Sequence, residues 1–443
     1  MKKRLERTVG IYTLGCKVNQ YESEAIAELL EENGISVLSP TSICDAYIIN
    51  TCTVTAESDR KARQFIRRAI AKNPNAYIIV TGCLAQTSPD DIAKIDGVDF
   101  ICGNGEKMLA AQRLIQFFDT SAAKESAEIC VHDIFEADFE EMSIKKFDRT
   151  RAYVKIEDGC ENRCSYCIIP SARGKIRSKP PHKVIEEVEE LTRNGCKEIV
   201  LTGIETASYG KDLDGVTLAD LLCKIDKIEG IGRIRLGSLD PSLITKGFVD
   251  KISSLKSLTP HFHLSLQSGS SRILALMRRK YNADMAMNAI ELLRESMPNV
   301  CFTTDVIVGF PQETDEDFKE SAEFIKKAKF LMVHVFPYSP RKGTEATKMK
   351  GQIDGAEKSR RLHELEKIEK QCRKELLEEF IKSEPQKSVL FETFDGEYAY
   401  GHTDNFLEVA VKSTRDLKGE IFTVNLFNTD GNICFGNIIN ENQ

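Results

Sequence analysis

Residues 152–170 read AYVKIEDGCENRCSYCIIP. AYVKIE has the composition of a buried strand, and it runs into a loop that carries Cys160, Cys164 and Cys167 in C-x3-C-x2-C spacing. Three thiolates on one short loop suit three irons of a [4Fe–4S] cluster, and with no fourth cysteine in the run one iron lacks a protein ligand. An open metal position is where a substrate coordinates, the logic that separates catalytic from structural zinc sites. Zinc is the competing reading. It wants four ligands in a structural site, and His182 lies too far along the chain to be an evident fourth.

Five further strand candidates follow this loop: EIVLTG (198–203), RIRLGS (233–238), HFHLSL (261–266), CFTTDVIVG (301–309) and FLMVHVF (330–336). Helical patterns separate most of them. Lys183–Arg193, entered through Pro180-Pro181, has Val184, Val188 and Leu191 on one face. Six β/α units fall short of the eight of a closed barrel, so an open or partial barrel is expected. The polar and Gly-rich oddities fall at strand C-terminal ends: the Cys loop, Thr202-Gly203, Ser238, Gln267-Ser268-Gly269, Gly309-Phe310-Pro311 and Tyr338-Ser339. That is the face on which β/α barrels build their chemistry.

Upstream, VGIYTLG, DAYIINT, AYIIVTG and VDFICGN alternate with helical patterns at Glu22–Asn33 and Glu57–Asn73, which argues for an open parallel α/β sheet over residues 1–118. Cys16, Cys52 and Cys83 each follow one of these strands, and strand ends of a parallel sheet share one edge. Cys102 also ends a strand and competes for membership, whereas Cys44 precedes its strand. Residues 119–148 lack periodicity and read as a linker, followed by the barrel domain over 149–380. A charged amphipathic helix over 354–383 closes that domain. From 381 to 443, short alternating strands separated by Gly, Asn and Asp turns read as a small antiparallel barrel. The fold class is therefore α/β with a small all-β appendage.

Composition sets the outer bounds. A chain of 443 residues has room for about three domains. The net charge of −7 gives no global reason to expect a nucleic-acid partner. The apolar stretch after the basic N-terminus is too short for a secretory leader or, at Leu14-Gly15-Cys16, a lipoprotein signal, and no run approaches a membrane span. A cytoplasmic, reducing setting without disulfides or membrane association is expected, so the clustered members of the 14 cysteines point to metal or redox chemistry, while core packing is the default for the others.

The C-x3-C-x2-C loop resembles that of the radical S-adenosylmethionine (SAM) superfamily. The stretches GCKVNQYES (15–23), NTCTVT (50–55), TGCLAQ (81–86), HLSLQSGS (263–270), MRRKY (277–281), GFPQET (309–314) and FPYSPRKGTEA (336–346) extend the resemblance, over nearly the full length, to the methylthiotransferases. That family combines an N-terminal domain with an auxiliary [4Fe–4S] cluster, a partial (β/α)6 radical SAM barrel and a C-terminal TRAM domain. On the resemblance, Cys160, Cys164 and Cys167 hold the catalytic cluster, Cys16, Cys52 and Cys83 hold the auxiliary one, and Cys102 drops out. GCKVNQYES is most similar to the branch acting on N6-threonylcarbamoyladenosine at position 37 of tRNA. The implied reaction uses two SAM molecules, one as methyl donor to a cluster-bound sulfur and one as the source of a 5′-deoxyadenosyl radical, to install methylthio at adenine C2. It implies tRNA as partner, a reductant such as flavodoxin or ferredoxin, and a sulfur donor outside the chain. Methylthiolation of isopentenyladenosine tRNA or of a ribosomal protein side chain, and a non-catalytic iron–sulfur or RNA-binding role, are the alternatives.

By the same resemblance, SAM falls to the strand-end groups Tyr166, Thr202, Gly203, Glu205, Ser238, Gln267, Arg279, Ile307 and Gly309, with Arg279 a candidate fork for the methionyl carboxylate. Local charge supplies candidates for RNA contact that the total conceals. SARGKIRSK (171–179) carries Arg173, Lys175, Arg177 and Lys179, and DRKARQFIRR (59–68) includes Arg63 and Arg67. The C-terminal barrel has five cations against ten carboxylates, so its expected contribution is aromatic stacking with Lys412 and Arg415.

Overall fold

The computed structural model describes residues 7–120, 127–147 and 149–439. Part of the basic N-terminus and part of the expected linker lie outside those residues. Strands β1 (Arg7–Thr13), β2 (Ile35–Leu38), β3 (Ala46–Thr51), β4 (Tyr77–Gly82), β5 (Phe100–Cys102) and β6 (Glu128–Cys130) form one parallel sheet in the order β2-β1-β3-β4-β5-β6. β3 and β4 are buried along their whole length, which is why AYIINT and YIIVTG read as unbroken apolar runs. The chain turns one way from β1 to the edge at β2 and the other way from β3 onward. The crevice at such a reversal, beyond the strands' C-terminal ends, is where open α/β sheets bind ligands.

Three helices start at that crevice. Cys16 caps α1 (Lys17–Glu32), Thr55 caps α2 (Ala56–Lys72) by accepting a 3.1 Å bond from the Ser58 N–H, and Cys83 opens α3 (Cys83–Thr87). Two strands depart from the sequence reading. β2 buries only Ile35, so its pattern is too weak to stand out, and β6 arises within the expected linker as an edge strand. The remainder of that segment is packed rather than loose, because Met142 and Ile144 join the core of the next domain.

That domain is an arc of parallel strands. β7 (Arg151–Lys155), β10 (Glu198–Thr202) and β11 (Arg233–Leu236) form one stretch, while β12 (Ser238–Leu239), β13 (His261–Gln267), β14 (Cys301–Val308) and β15 (Met332–Pro337) form the other. A short antiparallel pair, β8 (Glu157–Asp158) with β9 (Arg177–Ser178), brackets the Cys loop. The arc is continuous through Gly237, whose N–H reaches the Leu201 carbonyl at 2.8 Å before the chain passes to β13 as β12. The six-unit partial barrel is thus as expected from the sequence. The long helix Gly355–Ser383 packs Leu365, Leu377 and Phe380 inward.

β16 (Gln386–Phe394), β17 (Tyr398–Thr403), β18 (Glu408–Lys412), β19 (Ile421–Thr429) and β20 (Cys434–Ile438) close into a five-stranded barrel. One of its pairs, β18 with β20, is parallel, where the turns suggested antiparallel pairing throughout. This small barrel docks on the N-terminal ends of the arc's strands: Arg151 pairs with Glu392 at 2.8 Å, and Arg233 donates to the Ser388 carbonyl at 2.8 Å. The opposite end of the arc carries the Cys loop. Among the described residues no helix is long and apolar enough to cross a membrane.

Candidate active site between two cysteine sets

A cavity of about 420 Å³ opens where the N-terminal sheet domain meets the C-terminal ends of the arc. Cys160, Cys164 and Cys167 line it from the arc, and Cys16 lines it from the N-terminal domain. The Cys loop is held from both sides. Gly159 has φ +88°, and a Cβ there would collide with the Lys175 carbonyl, so only glycine lets the chain turn into the loop. The Cys160 N–H donates to the Gly174 carbonyl at 3.0 Å, and the Ser165 N–H donates to the Met277 carbonyl at 3.0 Å. The sulfurs also receive donors: the Ile169 N–H lies 3.4 Å from Cys167 Sγ, and Arg279 Nη1 lies 3.3 Å from Cys164 Sγ.

Burial pushes the Cys160 and Cys167 thiols up to about 12. A thiolate is favoured there only when a strong Lewis acid takes the proton's place, so metal uptake would release protons. The donor chemistry suits an iron–sulfur cluster ligated at three irons. N–H donors to sulfur are one of the levers that set such a cluster's potential.

The second set converges on the same crevice. Cys52 and Cys83 are buried, and Cys16 keeps accessible surface because it faces the cavity, although it lies deep between the domains. A Cβ on Gly15 would fall 3.0 Å from Cys52 Sγ, so the turn after β1 passes directly over that thiol. Burial, with smaller contributions from Cys83 and Cys16, pushes Cys52 up to about 11, which puts the three thiols within electrostatic reach of one another. Asn19 fixes two of the loops by donating to the Leu14 carbonyl at 2.7 Å and the Thr51 carbonyl at 3.0 Å. Cys102 packs elsewhere, among Val9, Ile79 and Ala110. Cys44 packs against Tyr47 on the other side of the sheet.

A buried ion cluster ties the two sets together. Glu22 pairs with Arg173 at 2.6 Å, with Lys155 at 3.1 Å and with Lys107, and Arg173 also meets Asp158 at 3.1 Å. Arg173 belongs to the short helix after Cys167, while Glu22 belongs to the helix capped by Cys16. The relative placement of the two loops therefore depends on this charge balance.

Of the strand-end candidates, Tyr166, Gly203, Glu205, Ser238, Gln267, Arg279 and Ile307 line the cavity. Thr202 and Gly309 do not: Thr202 is buried behind the wall, with its carbonyl taken by the Ile156 N–H, and the Gly309 N–H is taken by Glu313 at 2.6 Å. Gly203 leaves room where a Cβ would meet Glu157 Oε2 at 2.6 Å. Burial, reinforced by Asp240, pushes Glu205 up to about 7, and Gln267 adopts φ +68°, a strained conformation of the kind found at ligand sites. Arg279 does not have the free fork that the sequence suggested. Four of its five N–H groups already go to Tyr281, Cys164, Asp240 and the Ser265 carbonyl, so it clamps the Cys loop instead.

The cationic stretch 171–179 also reads differently in the fold. Arg173, Arg177 and Lys179 are buried and paired, Lys179 with Glu187 at 2.5 Å and Arg177 with Asp158 at 3.7 Å, which leaves only Lys175 exposed. They hold the domains together and are not available to RNA. Arg63 and Arg67 remain accessible on α2, whose cap Thr55 lines the cavity, and Lys412 and Arg415 are exposed but paired with Glu397 and Glu420. Sequence reasoning missed Val54, Asn162, Asp305 and Phe336 in the lining. Asp305 carried a legible signal, a lone charge in the apolar run of β14. Val54 and Phe336 are 51% and 46% exposed and give the cavity an apolar edge.

Residues 154–325 match the radical SAM superfamily, and residues 8–103 match an uncharacterized protein family, UPF0004. The chain is 41% identical over 426 residues to a threonylcarbamoyladenosine tRNA methylthiotransferase, MtaB, of Bacillus subtilis, covering 95% of this chain and 93% of the relative. It is 35% identical over 359 residues to a tRNA-2-methylthio-N(6)-dimethylallyladenosine synthase of Protochlamydia amoebophila, covering 80% and 79%. Among solved structures, the radical SAM methyltransferase TsrM from Kitasatospora setae shares the fold, with a TM-score of 0.54 at 16% identity over 76% of this chain and 77% of that one.

Proposed function

Because the chain belongs to the radical SAM methylthiotransferase family, we propose that it installs a methylthio group at C2 of N6-threonylcarbamoyladenosine in tRNA, using two [4Fe–4S] clusters and two SAM molecules. It is a radical SAM enzyme that modifies tRNA. The observation that carries the finer reading is that Cys160, Cys164 and Cys167 share one cavity with Cys16, behind which Cys52 and Cys83 are buried, as a reaction joining a radical to a sulfur donor requires. When bound, the clusters and SAM supply the radical, the methyl group and the sulfur.

The chain's own residues bind and orient. In this reading Cys160, Cys164 and Cys167 hold one cluster with Arg279 donating to Cys164, and Cys16, Cys52 and Cys83 hold the other. Tyr166, Gly203, Glu205, Ser238, Gln267 and Ile307 frame SAM, and Val54 with Phe336 offers an apolar edge to the base. Closing this edge over the base excludes water from the reacting atoms. Arg63, Arg67 and Lys175 grip phosphates at the mouth, while Lys412 and Arg415 are weaker because carboxylates already hold them. A one-electron carrier such as flavodoxin or ferredoxin and an external sulfur source complete the cycle in the cytoplasm.

Replacing Arg63 and Arg67 together with alanine should weaken tRNA binding and make its salt dependence shallower by about one to two in log–log slope. An unchanged slope would remove α2 from the interface. The substrate itself is tested by mass spectrometry of nucleosides from cells with and without the gene. The methylthio form of threonylcarbamoyladenosine should vanish on deletion, and its persistence would refute the assignment. Loss of only the isopentenyl-type product would favour the other tRNA branch.

A further inference from the structure

The edge of the N-terminal sheet carries a third set of metal-ligating side chains, apart from the cavity described above. Strand β6 has only three residues and pairs with β5 alone, where Cys102 stands opposite Cys130. Two of its three residues are exposed, so apolar burial does little to hold it. Cys130 ends this strand, His132 follows two residues later, and Glu106 lies in the turn between β5 and the helix Met108–Thr120. Cys130 Sγ, a ring nitrogen of His132 and a carboxylate oxygen of Glu106 all lie within 4.8 Å of one another. His132 Nδ1 and Glu106 Oε2 are already 2.7 Å apart. Tetrahedral coordination with bonds of about 2.0–2.3 Å separates donor atoms by about 3.5 Å, so closing on one ion takes side-chain movements of about 1 Å. The His132 side chain is 69% exposed and that of Glu106 is 39% exposed, which leaves both free to make them.

The surroundings favour a cation. Glu106 and His132 line a second cavity, of about 310 Å³, together with Asp133, Glu136, Asp138 and Glu140. Among the described residues no lysine or arginine lines it, so five acidic residues stand against a single imidazole. The backbone beside the set is anchored to both domains. Gln86 donates to the His132 carbonyl at 2.9 Å and accepts from the Asn104 N–H at 2.8 Å. Gln86 belongs to α3, the helix that Cys83 opens. Asn104 in turn donates to the Ala172 carbonyl at 2.7 Å, in the short helix after Cys167. An ion held by Glu106 and His132 would therefore fasten the sheet edge beside the joint between the two domains.

One thiolate, one imidazole and one carboxylate form a mixed donor set that suits zinc, whose uptake would release the Cys130 proton. We propose that Cys130, His132 and Glu106 bind a zinc ion whose fourth position opens on the acidic cavity, and that this ion staples the three-residue edge strand to the turn before the helix Met108–Thr120. The site is separate from both cysteine sets of the function proposed above and does not depend on the reaction assigned to them.

The test uses the full chain reconstituted anaerobically with iron and sulfide, then equilibrated with zinc chloride and freed of excess metal by gel filtration. Metal analysis of the wild-type protein should give about one zinc per chain beside the cluster iron. Zinc-edge X-ray absorption should show one sulfur at about 2.3 Å and nitrogen or oxygen neighbours at about 2.0–2.1 Å. Zinc lodged in an unfilled cluster site would show three sulfurs instead and overturn the assignment. Cys130→Ala and His132→Ala should each remove the zinc while the iron content stays at the wild-type level. In the wild-type protein, zinc at about ten times its dissociation constant should slow amide exchange over residues 129–131 about tenfold. The absorption spectrum and the exchange measurement need no variant, so they remain decisive even if Cys130→Ala loosens the sheet edge. A wild-type protein that retains no zinc, a Cys130→Ala protein with unchanged zinc, or exchange rates indifferent to zinc would each overturn the assignment.

Discussion

Replacing any one of Cys160, Cys164 or Cys167 with alanine is expected to bring 5′-deoxyadenosine formation to background and to lower iron from about eight to about four per reconstituted chain. The three thiols line one cavity wall and two of them receive the Ile169 and Arg279 donors, so each is placed to take one iron of the same cluster. Alanine at Cys16, Cys52 or Cys83 should also remove about four irons but leave SAM cleavage in place. That split separates the two sets. Cys102→Ala is the internal control, because Cys102 packs in the core among Val9 and Ile79 and its loss should leave the iron count unchanged. Retention of about eight irons by a Cys164→Ala protein would end the three-ligand reading.

Glu22→Ala is expected to cost about 3–5 kcal/mol of stability, read as a lower thermal midpoint, with loading of both cysteine sets impaired. Glu22, Arg173, Lys155 and Lys107 are all buried, and with Glu22 gone Arg173 and Lys155 would be left with Asp158, already shared with Arg177, and Lys107 with only the Asn50 side-chain oxygen. The sign of the pH dependence follows from the same cluster. Burial alone would raise the Glu22 carboxyl, but Arg173, Lys107 and Lys155 outweigh it and hold it well below the usual carboxylate range. A carboxyl depressed on folding stabilises the protein above its unfolded value of about 4.3, and that stability is lost as pH falls toward the folded value. Wild-type stability should therefore drop more steeply below about pH 4 than that of Glu22→Gln, whose residue 22 has no proton to take up. Parallel acid curves for the two proteins would show that Glu22 carries no net stabilisation.

Period and punctuation made the frame legible. The strand runs ending in Cys16, Cys52, Cys83 and the Cys loop gave the sheet, the six-unit arc and the crevice, because each ends a buried run where its chemistry sits. Pairing partners distant in the chain were not legible. The stretch 171–179 reads as a basic rim only until Glu22, some 150 residues upstream, is seen to meet Arg173 at 2.6 Å. Arg279 likewise reads as free until Asp240 and Cys164 are folded against it. β2 and β6 escaped notice because edge strands of four and three residues with few buried positions leave almost no pattern. Arg173, Arg177 and Lys179 thus changed role, from RNA contact to the joint between the two domains, while Lys175 stays exposed.

The most direct test of the central claim incubates the anaerobically reconstituted protein with reductant, a sulfur source, SAM and an anticodon stem-loop bearing N6-threonylcarbamoyladenosine. The expected result is the nucleoside methylthiolated at C2, with 5′-deoxyadenosine and S-adenosylhomocysteine formed in about equal amounts, one from each SAM consumed. Steady 5′-deoxyadenosine formation with the nucleoside left unmodified would contradict the account.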